Sequence, residues 1–208
     1  MVVKTLVVGP LQTNCYVLGC ERTKQGIVID PGDDASKILE ALEQHGLTLV
    51  QIVNTHAHFD HVLGVEELKL ATTAPFFLHR LEEPVLDGMP AHVQTWLGFD
   101  PGPPPQPDGH LEHGDLVQFG QQQLEVRWTP GHSPGSITLV DHTGRRAFVG
   151  DTLFAGGIGR TDLPGGDFNQ LLESIRRQIF TLPDDYEVMP GHGPTTTVGR
   201  EKRTNPFF

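Results

Sequence analysis

Four strand-like runs of this chain each end in a side chain able to bind a metal ion. That repeated ending constrains the fold more than any other feature of its 208 residues. The runs, at 47–53, 124–129, 146–149 and 186–189, are short and apolar, as buried strands are. The first leads into Thr55-His56-Ala57-His58-Phe59-Asp60-His61 and the second into Pro130-Gly131-His132-Ser133-Pro134. The third ends in Gly150-Asp151 and the fourth in Pro190-Gly191-His192-Gly193-Pro194. Ligands at strand ends converge when the strands share one edge of a sheet, a common location for sites in sheet-based folds. Glycines at those ends let the backbone turn tightly.

The rest of the chain supports a layered fold. Val2–Val8, 15–18 and 26–29 read as strands separated by the turns Gly9-Pro10 and Asp30-Pro31-Gly32. Asp34 precedes a helical stretch with Ile38, Leu39 and Leu42 on one face, which Gly46 stops. Glu66, Glu67 and Lys69 fit the exposed side of a helix after His61. Asp167 caps a helix with Phe168, Leu171, Leu172, Ile175 and Ile179 on one stripe, ending before Pro183. Strands outnumber helices and helices occur in both halves, which predicts sheets sandwiched by helices. The segment 80–100 mixes Met89, Trp96 and Phe99 with charges and shows no clean period. It runs into the proline-rich 101–107, read as a surface linker.

No domain boundary is evident, so a single domain over 1–208 is expected. Folding at this length buries roughly 70% of the unfolded chain's surface, so no disulfide staple is needed. Cys15 and Cys20 are read as reduced and structural. Fifteen Lys and Arg against 26 Asp and Glu give a formal charge of −11, which disfavours nucleic acid and anionic membranes as partners. No apolar run approaches the ~20 residues of a membrane span, and the start of the chain does not read as a secretion signal. A cytoplasmic protein is expected. His45, His79, His92, His110, His113 and His142 have no matching spacing and are read as surface or core residues. Arg200, Lys202 and Arg203 are read as a solvated basic tail.

The chemistry lies in the seven ligand-type residues: His56, His58, Asp60, His61, His132, Asp151 and His192. A lone histidine in a loop is ordinarily solvated, but HxHxDH places four ligand-type side chains within six residues. Imidazole suits zinc, iron or copper, and carboxylate adds charge neutralisation. A catalytic zinc takes about three protein ligands and keeps an open position, so seven ligands with one shared carboxylate divide between two ions. Two divalent cations outweigh the two aspartates and make a locally positive site, which attracts an anionic substrate to an acidic protein.

These residues resemble the signature of the metallo-β-lactamase superfamily, hydrolases and oxidoreductases built as a four-layer αββα sandwich. The resemblance spans nearly the whole chain and implies an α/β protein of that architecture. It also implies a partition, with His56, His58 and His132 on one ion, Asp60, His61 and His192 on the other, and Asp151 between them. Residues 154–162 (Phe-Ala-Gly-Gly-Ile-Gly-Arg-Thr-Asp), the Pro190 to Pro194 segment and the ending Asn205-Pro206-Phe207-Phe208 are similar to short glyoxalase II-like hydrolases of bacteria and archaea. Asn14-Cys15-Tyr16 also fits them. The longer enzymes carry a C-terminal helical domain that helps hold glutathione, which is not expected within 1–208. Arg160 and Thr161 stand where the longer forms are basic then aromatic, and Gly193 replaces an acidic residue.

The resemblance implies a binuclear metallohydrolase that cleaves a small-molecule thioester such as S-lactoylglutathione. Two divalent ions, zinc with iron or manganese as alternatives, would hold a hydroxide between them. Asp60 would orient that nucleophile as well as bind metal, and Arg160 would anchor a substrate carboxylate. A thiol leaving group has a pKa of about 8.5 and departs as thiolate without a dedicated acid. The chief rival is a mononuclear-iron persulfide dioxygenase, with iron on His56, His132 and Asp151. A β-lactamase and a nuclease of the superfamily fit less well, and a non-catalytic metal-binding module is the alternative outside enzymology.

Overall fold

Along Val2–Val8 (β1) burial is partial, whereas every residue of Thr13–Gly19 (β2) is buried. That contrast is what an edge strand and its interior neighbour require, and the pairing register Val2 with Gly19 through Val8 with Thr13 places them side by side. The computed structural model describes all residues, Met1–Phe208. They divide into two compact units, Met1–His110 with Gln118–Gln122, and Leu111–Val117 with Gln123–Phe208.

The first unit continues with Gln25–Ile29 (β3), Ala35–Gln44 (α1), Thr48–Val53 (β4), Phe59–Val62 (α2) and Val65–Thr72 (α3). Phe76–Leu78 (β5), a 3-10 turn at Arg80–Glu82, Glu83–Asp87 (α4), Met89–Leu97 (α5) and Gly109–His110 (β6) complete it. The six strands form one sheet in sequence order, antiparallel from β1 to β3 and parallel from β3 to β6. Parallel strands end at one edge, so Asp30, the Thr55–His61 segment and His79 all emerge there. Ile38, Ala41 and Leu42 of α1 and Val65 and Leu68 of α3 join Val28, Ile52 and Phe76 in one buried cluster.

The chain continues with Leu116–Phe119 (β7) and Gln122–Trp128 (β8), of which 118–122 count with the first unit, and the second unit goes on with Ile137–Asp141 (β9), Arg146–Gly150 (β10) and the small hairpin Leu153–Phe154 (β11) and Gly157–Ile158 (β12). Phe168–Ser174 (α6) widens into a π turn at Ile175–Ile179, followed by Glu187–Pro190 (β13), Thr196–Thr197 (β14) and Val198–Thr204 (α7). The large sheet runs β14-β13-β10-β9-β8-β7. β8 and β10 are each antiparallel to β9, and β10 is parallel to β13, so β8, β10 and β13 point the same way. Their C-terminal ends carry His132, Asp151 and His192. Leu171, Ile175 and Ile179 pack with Val140, Ala147, Val149 and Val188 beneath them.

Three sequence readings are corrected here. The aperiodic 80–100 is largely helical, because three short helices each bury only one or two residues, such as Leu86, Met89 and Val93. Too few turns repeat for a period to emerge. The stripe 168–179 is helical but not uniformly α, since Phe180 N bonds Ile175 O across five residues. The basic tail is helix α7, with Lys202 donating to Asp184 and to Leu182 O and Arg203 to Asp184. No helix is long and apolar enough to cross a membrane.

Ile38 is fully buried on the inner face of α1. Ile38→Ala should lower stability by about 2–4 kcal/mol, because a large buried side chain is lost and its cavity does not fully collapse. Urea unfolding at neutral pH measures this, and a loss below half a unit of that scale would place Ile38 outside the core.

Candidate metal centre

His56, His58, Asp60 and His61 lie together at the sheet edge of the first unit. The His56 ring is 4.8 Å from that of His58 and 4.1 Å from that of His61, centroid to centroid. His61 Nε2 is 3.6 Å from Asp60 Oδ2. His56 and His61 are buried. Four ligand-type side chains in so small and largely buried a space suit a cation far better than they suit one another.

What fixes these rings is a buried carboxylate that the sequence reading left in a turn. Asp30 Oδ2 faces His61 Nδ1 at 3.1 Å and accepts from Thr55 Oγ1 at 2.7 Å, while its Oδ1 accepts from Thr55 N at 2.7 Å. A carboxylate at this site accepts, so His61 Nδ1 carries the proton and Nε2 keeps its lone pair. Thr55 spends its hydroxyl hydrogen on Asp30, so at 3.1 Å its oxygen receives the proton of His56 Nδ1. One carboxylate therefore sets the tautomer of two histidines, and both present Nε2 as the ligand atom. Glu82, fully buried, accepts from Ala57 N at 2.7 Å and holds the backbone between His56 and His58. Asn54 Nδ2 donates to His61 O at 2.6 Å. The turn after Asp30 must pass close to the loop, and a Cβ on Gly32 would lie 1.7 Å from Asp60 O.

The second unit carries its own set. Asp151 Oδ2 is 3.7 Å from His132 Nε2 and 3.6 Å from His192 Nε2, so one carboxylate oxygen faces two imidazoles. His132 Nδ1 lies 2.8 Å from Arg160 O. A carbonyl can only accept, so the proton again sits on Nδ1 and Nε2 is the ligand atom. Glycine permits this approach, because a Cβ on Gly159 would lie 1.8 Å from Asp151 O and 3.2 Å from His132 Nδ1. The Phe154 ring meets His192 edge-on at 6.5 Å.

Arg160, expected as an anchor for a substrate carboxylate, is paired with a neighbouring acid. Its Nε and Nη2 donate to the two oxygens of Asp162, each at 2.8 Å, and both side chains are exposed. The guanidinium holds the Asp162 carboxyl down to about 2, and the carboxylate pushes Arg160 up in turn, so the pair is ionised through the neutral range.

The structure thus gathers His56, His58, Asp60 and His61 in one set and His132, Asp151 and His192 in another. Sequence reasoning missed Asp30, Thr55 and Glu82. Asp30 carried the same signal as the ligands, an acidic residue closing an apolar strand, but its Asp-Pro-Gly context read as a turn. Among the unmatched histidines, His79 is buried and accepts from Leu81 N, His110 pairs with Glu83, and His142 bridges Glu125 and Tyr186. Cys15 and Cys20 are free and buried.

Histidines with preset tautomers beside carboxylates at sheet edges are a donor set suited to divalent metal ions. Residues 8–192 match the model of the metallo-β-lactamase superfamily. Among curated relatives, the probable metallo-hydrolase YqgX of Bacillus subtilis is 39% identical, covering 99% of this chain and 96% of that protein. The hydroxyacylglutathione hydrolase GloC of Haemophilus influenzae is 34% identical, covering 100% of this chain and 98% of its own. Among solved structures, the BLEG-1 B3 metallo-β-lactamase superposes with a TM-score of 0.91 at 39% identity, covering 99% of each chain. TTHA1623 in a di-iron-bound form gives 0.90 at 42% identity, covering 99% of this chain and 100% of that one. ETHE1 from Myxococcus xanthus gives 0.83 at 32% identity, covering 99% of this chain and 84% of that one. The chain belongs to the metallo-β-lactamase superfamily and has its fold; it is a metal-dependent hydrolase.

Asp30→Asn would set an amide N–H against the Thr55 hydroxyl and His61 Nδ1, forcing His61 toward the wrong tautomer. Affinity for Zn(II), measured by chelator competition, should fall about 10–100-fold, the usual effect of losing a carboxylate behind a ligating histidine.

Proposed function

We propose that the two ligand sets serve one binuclear centre that hydrolyses a thioester of a small acyl group, with S-lactoylglutathione as the representative substrate. The observation that carries this reading is Asp151 Oδ2, near-equidistant from His132 and His192, which fall on different ions in the partition above. A carboxylate so placed suits a shared ligand, and a pair of ions suits hydrolysis better than it suits one iron activating oxygen. The GloC likeness over the full chain supports the same substrate class.

Bound divalent ions supply polarisation of the substrate carbonyl and a water acidified to a pKa of about 7. Zinc, iron and manganese all fit this donor set, and the di-iron form of TTHA1623 supports iron as an alternative to zinc. The chain's own residues do the positioning. Asp60 accepts a hydrogen bond from the attacking water and aims it at the carbonyl carbon. Thr13 Oγ1 donates to Asp60 Oδ2 at 3.3 Å, which holds that carboxylate in place. The thiolate leaves without a proton, so no acid is needed where the chain offers no obvious candidate. Arg160 binds the carboxylate of the thiol carrier, and Asp162 must release the guanidinium for it to do so.

Two measurements test this. Metal analysis of purified protein with an S-lactoylglutathione assay should give close to two ions per chain and hydrolysis, both lost in Asp151→Ala. One iron per chain with oxygen uptake on glutathione persulfide would replace the hydrolase by the dioxygenase. Asp162→Asn should lower KM for S-lactoylglutathione by about two- to five-fold, a small effect because exposed ion pairs are weak. In an Arg160→Ala background the same change should have no further effect on KM, and a drop there would remove Arg160 from substrate binding.

A further inference from the structure

The C-terminal helix holds a carboxylate that the reaction does not use. Glu201, in α7, has no exposed surface. Its Oε1 accepts from Thr196 Oγ1 at 2.5 Å, and its Oε2 accepts from Gly156 N and from Asn205 Nδ2, each at 2.9 Å. Asn205 Nδ2 also donates to Gly157 O at 3.0 Å. Glu201 and Asn205 thus grip both backbone groups at the tip of the β11–β12 hairpin, one N–H and one C=O.

That hairpin is a lever between metal ligands. It starts at Leu153, two residues after Asp151. Its first strand carries Phe154, paired with Gly157 across the hairpin and edge-on to His192. Its second strand leads to Gly159, whose N–H bonds Thr152 O, and to Arg160, whose carbonyl sets the His132 tautomer. A tip free to swing would move the supports of all three ligands of this unit.

We infer that Glu201, with Asn205, is a positioning residue for the metal centre, clamping the 153–158 hairpin so that Asp151, His132 and His192 keep ligating geometry. The inference rests on those three residues binding metal. The clamp works by accepting hydrogen bonds, with charge secondary: the ion pair with Arg200 is long, at 4.0 Å, and that guanidinium is exposed. It also gives a role to the Asn205 of the terminal Asn-Pro-Phe-Phe segment, which the sequence alone left without one.

Acceptor and charge separate cleanly by substitution. In Glu201→Gln the amide oxygen still takes Gly156 N–H and Asn205, while the amide nitrogen replaces Oε1 and donates to the Thr196 oxygen. In Glu201→Met the length remains and every acceptor is gone. In full-length protein, Zn(II) affinity by chelator competition should fall about ten-fold or more in Glu201→Met and stay within about three-fold in Glu201→Gln. The d–d spectrum of the Co(II)-loaded protein should shift in the Met variant alone. In metal-free protein, exchange of the Gly156 amide should speed about ten-fold in Met and change little in Gln. Asn205→Ala, which loosens the same tip, should follow the Met variant in weaker form, and serves in its place if that variant does not fold. Faster Gly156 exchange with wild-type Zn(II) affinity and Co(II) spectrum would overturn the inference, as would equal losses of affinity in Gln and Met. If Asp151→Ala binds Zn(II) as the wild type does, the ligand assignment itself fails, a result the metal-free exchange data would not mimic.

Discussion

A histidine binds a cation only through a nitrogen that keeps its lone pair, and the rest of this site depends on how that choice is made. In the first unit it is made by Asp30, buried at the end of β3, which takes the Thr55 hydroxyl hydrogen and faces His61 Nδ1. The Thr55 oxygen then receives the His56 proton, so a single carboxylate governs two rings through one hydroxyl. In the second unit a backbone carbonyl, that of Arg160, does the same for His132. The two solutions differ in chemistry and agree in outcome, since each leaves Nε2 as the donor.

These supports are available because of strand direction. β3, β4 and β5 are parallel, so Asp30, the histidine loop and the segment bearing Glu82 leave the sheet at one edge. β8, β10 and β13 likewise point one way. Each ligand then needs only a short loop, and the tight approaches of backbone to backbone at Gly32 and Gly159 keep those loops close to the sheet. Buried clusters of aliphatic side chains under both sheets, such as Ile38 with Ile52 and Ile175 with Val188, hold the strands in register.

The ligand-type residues and the main strands were legible in the sequence because both leave strong local patterns. Apolar runs of strand length stand out, and HxHxDH with two Pro-Gly-His segments has few ordinary explanations. The supporting residues were not legible. Asp30 looked like any Asp-Pro-Gly turn, Glu82 lay in a stretch without period, and Glu201 sat among basic residues that suggested a solvated tail. Their roles come from pairing across dozens of positions, as in the 45 residues between Gly156 and Glu201, and no local window contains such a pair. Arg160 is the opposite case, since the Asp162 that fills its fork lies only two residues away.

The hydrogen bonds that orient His56, His61 and His132 are made entirely within the polypeptide, and each unit has an aliphatic core of its own. Neither those tautomers nor those cores use an ion as a building block, unlike small zinc domains that fold only around their metal. Imidazole and carboxylate donors held in this way suit several divalent ions, so availability weighs in the choice. The metal found there therefore reports on cellular supply as much as on the chain.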